Sequence, residues 1–302
     1  MINRIRLLIG KILLKLDFYK IIHLSDEKFL KITYEKIFCK KLNLDNPQTF
    51  NEKLQWLKLY NRKDIYTTMV DKYEVKKYVA NIIGEEYIIS TLGIYDKFED
   101  IDFDNLPNQF VMKCTHDSGG LVICKNKDKL DYKNAKKKIE KSLKHNYFYN
   151  GREWPYKNVK PRIIIEKYME NKIFHELRDY KFFCFNGKVK FFKIDFDRFT
   201  NHRANYYDTQ KNILNFGEKI YPPNFEKKIY LPETIDEMIK LAEKLAVNIP
   251  FVRIDFYDVN GKIYFGEITF FPASGFGKFD PESYDQLFGD WIKLPKKDKE
   301  RK

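Results

Sequence analysis

The segment FVRIDFYDVNGKIYFGEITFFP (residues 251–272) restricts the possible folds of this chain more than any other stretch. Two runs that alternate apolar and polar residues flank Asn260-Gly261, a dipeptide typical of the tight turn of a β-hairpin. Register then decides which side chains share a face, because side chains alternate along a strand. A two-residue turn without further irregularity would place Glu267 on the face opposite Asp255.

A three-residue loop over residues 259–261, with Gly261 in the left-handed conformation, would shift the pairing by one residue and bring Glu267 to the same face as Asp255. The polar side chains would then share one face: Arg253, Asp255, Glu267 and Thr269. An exposed face with incidental charges is the alternative, but the neighbouring Phe, Ile and Tyr residues disfavour it. We therefore favour a site, because buried charges need partners. Paired carboxylates suit Mg²⁺, and an adjacent arginine can neutralise a developing anion.

A second segment, FVMKCTHDSGGLVICK (110–125), predicts a strand that carries Lys113, a short polar loop and another strand. The loop contains Gly119-Gly120, and main-chain amides of such a loop can approach phosphates closely. The spacing matches neither of the common glycine-rich nucleotide motifs, so a hairpin without a ligand remains the alternative.

A third segment, PRIIIEKYMENKIFHELRDYKFFCFNGKVKFF (161–192), contains a buried strand that ends in two charges, Glu166 and Lys167. These two charged side chains are either incidental surface residues or lie at the edge of a cleft. Asp179 and Lys181 share one face of the next strand, which turns at Asn186-Gly187.

Composition excludes several protein classes. The 302 residues include 17% aromatic residues, which is too many for a disordered chain. The four cysteines form no CxxC pair and the five histidines no metal-ligand spacing, so neither a disulfide scaffold nor a zinc site is indicated. The net charge of +13 fits nucleic acid, an anionic membrane or phosphate-bearing substrates.

The order of the predicted elements favours an α+β or α/β protein. Residues 1–70 and 71–87 are predicted to be helical, and β-rich runs follow, interrupted by helices near 132–146 and 233–247. The first twenty residues repeat apolar side chains at helical spacing with Lys and Arg between them. This helix either packs on the protein or lies on an anionic membrane face, because its apolar runs are too short to span a bilayer.

Together the three segments, in this order, resemble the ATP-grasp superfamily, and more closely the TupA-like ATP-grasp proteins of bacterial surface-polysaccharide biosynthesis. The matching stretches are PQTFNEKLQWLKLY (47–60), DKYEVKKYV (71–79), LPNQFVMKCTHDSGG (106–120), EWPY (153–156), PRIIIEKYM (161–169), DYKFFCFNGK (179–188) and VRIDFYDVNGKIYFGEITFFPASGFGKFDP (251–281). The resemblance implies an α+β ATP-grasp fold in which two subdomains clasp ATP. The implied division is a helical region (1–70), two subdomains (71–165 and 166–292) and a basic tail (293–302).

The resemblance also implies a set of site residues. Those that would contact ATP are Lys72, Lys113, Asp117, Ser118, Gly119 and Gly120 at the phosphates, Glu166 at the adenine amino group, Lys167, Tyr168 and Met169 in the hinge, and Asp179 and Lys181 towards the ribose. Asp255, Glu267 and Thr269 would hold Mg²⁺, and Arg253 would be the catalytic residue that stabilises the transferring phosphoryl group. Thr269 stands where many relatives carry Asn.

The implied function is an ATP-dependent carboxylate–amine ligase that acts through an acyl phosphate on a sugar acid or amino acid and a surface-glycan precursor. A kinase or a glycan-modifying transferase is the enzymatic alternative, and a basic nucleic-acid- or membrane-binding protein is the non-catalytic one. We expect no nucleic-acid partner and a cytoplasmic protein that contacts the inner membrane face through residues 1–22. Residues 1–70 lack the strand–glycine-loop pattern of the substrate-binding domain found in most relatives.

Overall fold

The computed structural model describes residues 2–171, 177–198 and 200–297, and for residues 2–7 the backbone alone. Its helices are α1 (Ile2–Phe18), α2 (Asp26–Phe38), α3 (Phe50–Tyr60), α4 (Ile65–Val70), α5 (Glu74–Ile83), α6 (Tyr132–Leu143), α7 (Phe148–Gly151), α8 (Ile235–Leu245) and α9 (Ser283–Trp291). None of the described helices is both long enough and apolar enough to cross a membrane. Residues 298–302 of the predicted basic tail lie outside the described residues.

The strands are β1 (Thr91–Tyr95), β2 (Phe110–Cys114), β3 (Leu121–Cys124), β4 (Ile163–Lys167), β5 (Asp179–Phe185), β6 (Lys188–Phe196), β7 (Arg203–Asp208), β8 (Ile213–Leu214), β9 (Gly217–Glu218), β10 (Phe251–Val259), β11 (Lys262–Thr269) and β12 (Phe279–Asp280). In the described part of the chain they form a four-stranded sheet ordered β1-β4-β2-β3, a six-stranded sheet ordered β11-β10-β5-β6-β7-β8, and a β12-β9 pair. All three are antiparallel. Segregated helices and antiparallel sheets confirm the α+β prediction.

The four-stranded sheet has one apolar face and one polar face. Phe110, Met112 and Ile165 pack with Ala135 and Ile139 of α6 in a core of their own. Because side chains alternate along a strand, the intervening residues point to the other face. We call it the polar face because it carries Lys113 and Glu166, which the sequence assigned to nucleotide binding, although it also bears the apolar side chains of Val111, Leu121 and Ile123.

The six-stranded sheet is covered by helices on both faces. Helix α8 lies against β5, β6 and β10. On the opposite face, Phe50 of α3 and Phe288 of α9 pack on Phe185 and Phe251, with the Phe50 and Phe251 rings 4.8 Å apart. This aromatic cluster covers one part of the face and leaves the polar residues of β5, β6, β10 and β11 beside it.

Local sequence explains where α3 begins. The Thr49 side chain accepts a hydrogen bond from the Glu52 amide at 3.3 Å, and the Glu52 carboxylate accepts one from the Thr49 amide at 3.2 Å. This reciprocal capping box satisfies amides that the first helical turn leaves without partners. The helix that carries Phe50 into the core is therefore started by its own sequence.

The predicted division of the chain stays a prediction, but two observations bear on it. The boundary at 165/166 falls inside β4. The helices before residue 70 also share one continuous core with the six-stranded sheet, through residues such as Leu54 and Phe50. In the described chain, the helical region therefore packs in the same core as the six-stranded sheet rather than as a separate unit.

The predicted three-residue loop in the β10–β11 hairpin is wrong, although its consequence is right. Val259 pairs with Lys262, so the turn contains only Asn260 and Gly261, which have φ angles of 56° and 82°. Such positive φ values are those of a type I′ turn. The register then shifts between Asp255 and Phe256, where Gly266 is the additional residue of a β-bulge. Because the bulge shifts the register by one residue, Asp255 pairs with Glu267 and the two carboxylates lie on the same face.

Candidate functional site

A cleft lies between the polar faces of the two sheets. It contains two adjoining cavities of about 260 and 200 Å³. Both cavities are lined by Lys113 and Glu166 from the smaller sheet and by Tyr257 from the larger one. The predicted nucleotide-binding and metal-binding segments therefore meet, as the resemblance implied.

Two lysines bind one buried carboxylate at the centre of the cleft. The Lys113 Nζ lies 2.6 Å from Glu166 Oε2, and Lys76 pairs with Glu166 Oε1. Burial raises the pKa of Glu166, but the two ammonium groups outweigh it and hold the pKa below its usual value. Burial lowers the pKa of Lys113, yet Glu166 more than compensates and the net shift is upward. Both groups are therefore charged at neutral pH.

The glycine-containing loop is built around Asp117. Its carboxylate accepts hydrogen bonds from the Gly120 amide, at 3.1 Å, and from Ser142, while Lys72 donates to its main-chain oxygen. A Cβ at Gly120 would lie only 2.5 Å from Cys114 Sγ, so this glycine is required for packing. Ser118 and Gly119 are exposed at the mouth of the cleft. Burial lowers the pKa of Lys72, which disposes it to take an anionic partner.

The smaller cavity is the more apolar part of the cleft. Its walls are formed by the end of β4, by the two residues that follow it and by side chains of β2 and β3: Lys167, Tyr168, Met169, Val111, Leu121 and Ile123. Lys125 lies over the Tyr168 ring, 5.8 Å from its centroid. A cavity lined mainly by apolar and aromatic side chains has the character of a site for an aromatic base.

In the larger sheet, Arg253 joins the two carboxylates of the β10–β11 hairpin, Asp255 and Glu267. Its Nε and Nη2 lie 2.7 and 2.8 Å from the two oxygens of Asp255, and Nη2 lies 2.7 Å from Glu267 Oε1. The same nitrogen donates to the Thr269 hydroxyl at 3.1 Å. Burial raises the pKa of Asp255, but Arg253 and Lys181 outweigh it and lower the pKa. The structure thus brings all four predicted residues together.

A row of alternating charges continues from these residues across the larger sheet. Lys181 lies 2.8 Å from Asp255, 3.4 Å from Asp179 and 3.8 Å from Asp195. Arg198 also pairs with Asp179 and lines both cavities. Each charge in the row has an opposite charge beside it, as burial in a low-dielectric cleft requires.

Sequence reasoning missed three polar residues that line the cavities, Lys76, Arg198 and Tyr257, and also Asp195, which lies beside Lys181. Because side chains alternate along a strand, Asp195 lies on the same face of β6 as Lys193, and Lys193 is opposite Lys181 on β5. This alternation could have identified Asp195. Tyr257 follows Asp255 by two residues on β10, and the same alternation identifies it. Lys76 and Arg198 have no comparable pattern, because their positions depend on tertiary packing.

Of the hairpin residues predicted to hold magnesium, Glu267 lines the larger cavity. Asp255 is fully buried, and its two oxygens are bound by Arg253 and Lys181, so it would have to exchange one of these partners to bind the ion. In the described residues no group of three or more His, Cys, Asp or Glu side chains forms a complete metal site. Mg²⁺, however, commonly takes one or two protein carboxylates and completes its shell with phosphate oxygens and water. Asp255 and Glu267 are paired across β10 and β11, and the Thr269 hydroxyl is 3.3 Å from Glu267 Oε1.

Comparison with solved structures finds similar folds at low sequence identity. D-Alanine-D-alanine ligase from Helicobacter pylori is 15% identical with a TM-score of 0.44, over 82% of this chain and 70% of that chain. The Bacillus anthracis D-alanine--D-alanine ligase complexed with ATP is 19% identical with a TM-score of 0.40, over 74% and 63%. A RimK domain ATP-grasp protein from Sphaerobacter thermophilus is 7% identical with a TM-score of 0.43, over 77% and 70%. This chain therefore spans less than two thirds of the Bacillus anthracis enzyme.

No curated protein sequence matches the chain. The family comparison is specific, because the model of the TupA-like ATP-grasp proteins matches residues 52–293, which include both sheets and the cleft. With its antiparallel sheets facing each other across a cleft, the chain belongs to the TupA-like ATP-grasp family.

Proposed function

We propose that this protein is an ATP- and Mg²⁺-dependent ligase that joins a carboxylate to an amine through an acyl phosphate. The observation that carries the proposal is the cleft itself, in which Lys72, Lys76 and Lys113 line the same cavity as Glu267, the hairpin carboxylate that Arg253 joins to Asp255. Such a division of charge suits a polyphosphate substrate, because cations can hold its oxygens while carboxylates share its metal ion.

Each part of the cleft has a role in this proposal. The smaller cavity, beside Lys167, Tyr168 and Met169, would take adenine, with Asp179 and Lys181 on the ribose side. Lys72, Lys113 and the amides of 118–120 would hold phosphate oxygens, for which the Gly120 amide must leave the Asp117 carboxylate. Glu166 lines both cavities, so its predicted contact with the adenine amino group requires it to exchange at least one of its lysine partners.

Asp255, Glu267 and Thr269 would hold Mg²⁺, which neutralises charge on the phosphate oxygens when bound. The proposed first step is attack of a substrate carboxylate oxygen on the γ-phosphorus of ATP, with ADP as the leaving group. In the second step an amine attacks the acyl carbon, phosphate leaves, and the nitrogen loses a proton. Arg253, held by hydrogen bonds in one orientation, would stabilise the negative oxygens in both steps.

The substrates follow from the resemblance rather than from the cleft. We propose a sugar acid or amino acid as the carboxylate, and a precursor of a surface polysaccharide as the acceptor. This assignment places the protein in the cytoplasm, with contact to the inner membrane face through its first helix.

Trapping of the acyl phosphate tests the proposal. Purified protein, Mg²⁺-ATP, hydroxylamine and a panel of sugar acids and amino acids are incubated and analysed by mass spectrometry. We expect a hydroxamate of one acid together with an equal amount of ADP, and neither product with Asp255→Asn. ADP accompanied by a stable phosphorylated product and no hydroxamate would indicate a kinase and contradict the ligase assignment.

A further inference from the structure

The first helix and the turn after it expose a continuous set of large apolar side chains. Six of them, in residues 8–21, have between 51% and 70% of their surface in contact with solvent: Leu8, Ile9, Ile12, Phe18, Tyr19 and Ile21. Leu8 and Ile12 lie one helical turn apart, so they form a strip on one side of α1. We call these six residues the α1 apolar surface. Isolated exposed apolar residues are ordinary, whereas a contiguous set indicates a binding surface.

The opposite side of α1 is fixed to the protein. Leu13 and Leu14 pack against the main core, and Gly10 lies against Ile32 of α2, where a Cβ would come within 3.0 Å. Asp17 accepts a hydrogen bond from the buried Arg152 guanidinium at 2.7 Å. The α1 apolar surface therefore cannot turn inwards without breaking a buried ion pair, and its cover must come from outside the described chain.

The charges around the α1 apolar surface are positive. Lys11, Lys15 and Lys20 are exposed beside it. Asp17 is the only acidic residue between residues 8 and 21, and its charge is already paired with Arg152. An apolar strip bordered by lysines is the composition of a helix that lies in the plane of an anionic lipid surface.

We propose that the α1 apolar surface docks on an anionic lipid bilayer, with Lys11, Lys15 and Lys20 at the level of the lipid phosphates. The helix lies on the bilayer rather than across it, which agrees with the finding that no described helix could span a membrane. This proposal deepens the membrane contact named in the proposed function, and it does not depend on the ligase reaction.

Docking through α1 would also orient the cleft. Arg152, which holds Asp17, is followed by Glu153, whose carboxylate accepts a hydrogen bond from Ser274 Oγ at 2.5 Å. Ser274 lies in the loop that follows β11, the strand of Glu267 and Thr269. A short chain of contacts therefore joins the bilayer-facing helix to the loop that follows β11.

Vesicle sedimentation with the full chain tests the proposal. Vesicles of phosphatidylcholine with and without phosphatidylglycerol are the probes. We expect binding to the anionic vesicles that falls as salt is raised, because screening weakens the lysine contribution. Two variants, Leu8→Ser/Ile12→Ser and Lys11→Glu/Lys15→Glu, should each bind at least tenfold more weakly. The control, Ile220→Ser/Val247→Ser, removes two apolar residues that are equally exposed elsewhere and should bind as the wild type does.

ATP binding by each variant, measured without vesicles, separates this proposal from the proposed function. We expect it to be unchanged, since these residues do not line the cleft. Absent binding to anionic vesicles, or equal loss in the control variant, would overturn the proposal. The alternative is that a second copy of this chain covers the α1 apolar surface, which sedimentation velocity tests. If the wild type is a dimer that does not bind vesicles, and Leu8→Ser/Ile12→Ser converts it to a monomer, the surface is a dimer interface instead.

Discussion

Arg253 binds both carboxylate oxygens of Asp255, its neighbour two residues along the same strand, at 2.7 and 2.8 Å. The same guanidinium reaches Glu267 on the adjacent strand, so one cation joins the two carboxylates predicted to hold Mg²⁺. From sequence alone Asp255 is expected to be an unpaired carboxylate, whose replacement by Asn leaves stability near or above that of the wild type. The structure corrects this expectation, because Asp255 has two cationic partners.

Asp255→Asn should therefore destabilise the fold. Asn remains a hydrogen-bond acceptor but carries no charge, so Arg253 and Lys181 lose the counter-ion that offsets their burial. We expect the free energy of unfolding to fall by about 3–5 kcal/mol, the range for removal of one partner of a buried ion pair. Denaturant unfolding measures this loss. The same change at the exposed Asp104 is the matched control and should alter stability by less than about 0.5 kcal/mol; an unchanged midpoint for Asp255→Asn would contradict the pairing.

Stability in acid should depend on Asp195. Burial raises the pKa of this carboxyl, but Lys193 and Lys181 outweigh it and lower the pKa to about 2. Because the folded pKa is depressed, the stabilisation is complete above the unfolded pKa near 4 and is lost as pH falls through 2. Its size is ~2 kcal/mol. The stability of Asp195→Asn should therefore decline less steeply than that of the wild type between about pH 4.5 and 2, and identical slopes would disprove the assignment.

Glu166→Gln should leave Lys76 and Lys113 as partly buried cations that have lost their shared counter-ion. We expect a loss of about 3 kcal/mol in the free energy of unfolding. An anion that occupies the cleft should restore part of it, so tripolyphosphate should raise the melting temperature of the variant more than that of the wild type. Thermal unfolding with and without tripolyphosphate makes the comparison. Equal stabilisation of the two proteins would show that these lysines do not meet the phosphates.

Two adjacent glycines of the loop should respond differently to the same substitution. In Gly120→Ala the new Cβ would lie 2.5 Å from Cys114 Sγ and 2.7 Å from Ser142 Oγ, so overpacking should cost about 1–3 kcal/mol. In Gly119→Ala the nearest atom to the new Cβ is 3.8 Å away, and stability should hardly change. Only ATP affinity should fall, because the methyl group lies at the mouth of the cleft. Unfolding and ATP-binding measurements on both variants decide this, and equal destabilisation would contradict the loop geometry.

Local patterns in the sequence were sufficient to place turns at Asn186-Gly187 and Asn260-Gly261, although not to give the length of the second loop, and to identify the three segments that form the cleft. They could not reveal the bulge at Gly266, because register there is decided by contacts between strands rather than by the Asn260-Gly261 turn. The pairing of Lys76 with Glu166 was also beyond local patterns, since the two residues meet only when α5 packs beside the smaller sheet. Exposure of the α1 apolar surface likewise follows from which side of the helix meets α2.

We infer that the cleft binds ATP together with Mg²⁺ held by the hairpin carboxylates. Calorimetric titration of ATP into the purified protein, with Mg²⁺ and again with EDTA, tests it most directly. We predict one site in the presence of Mg²⁺, an affinity at least tenfold weaker in EDTA, and no such difference for Asp255→Asn. Absence of ATP binding, or equal affinity with and without Mg²⁺ in the wild type, would contradict the account.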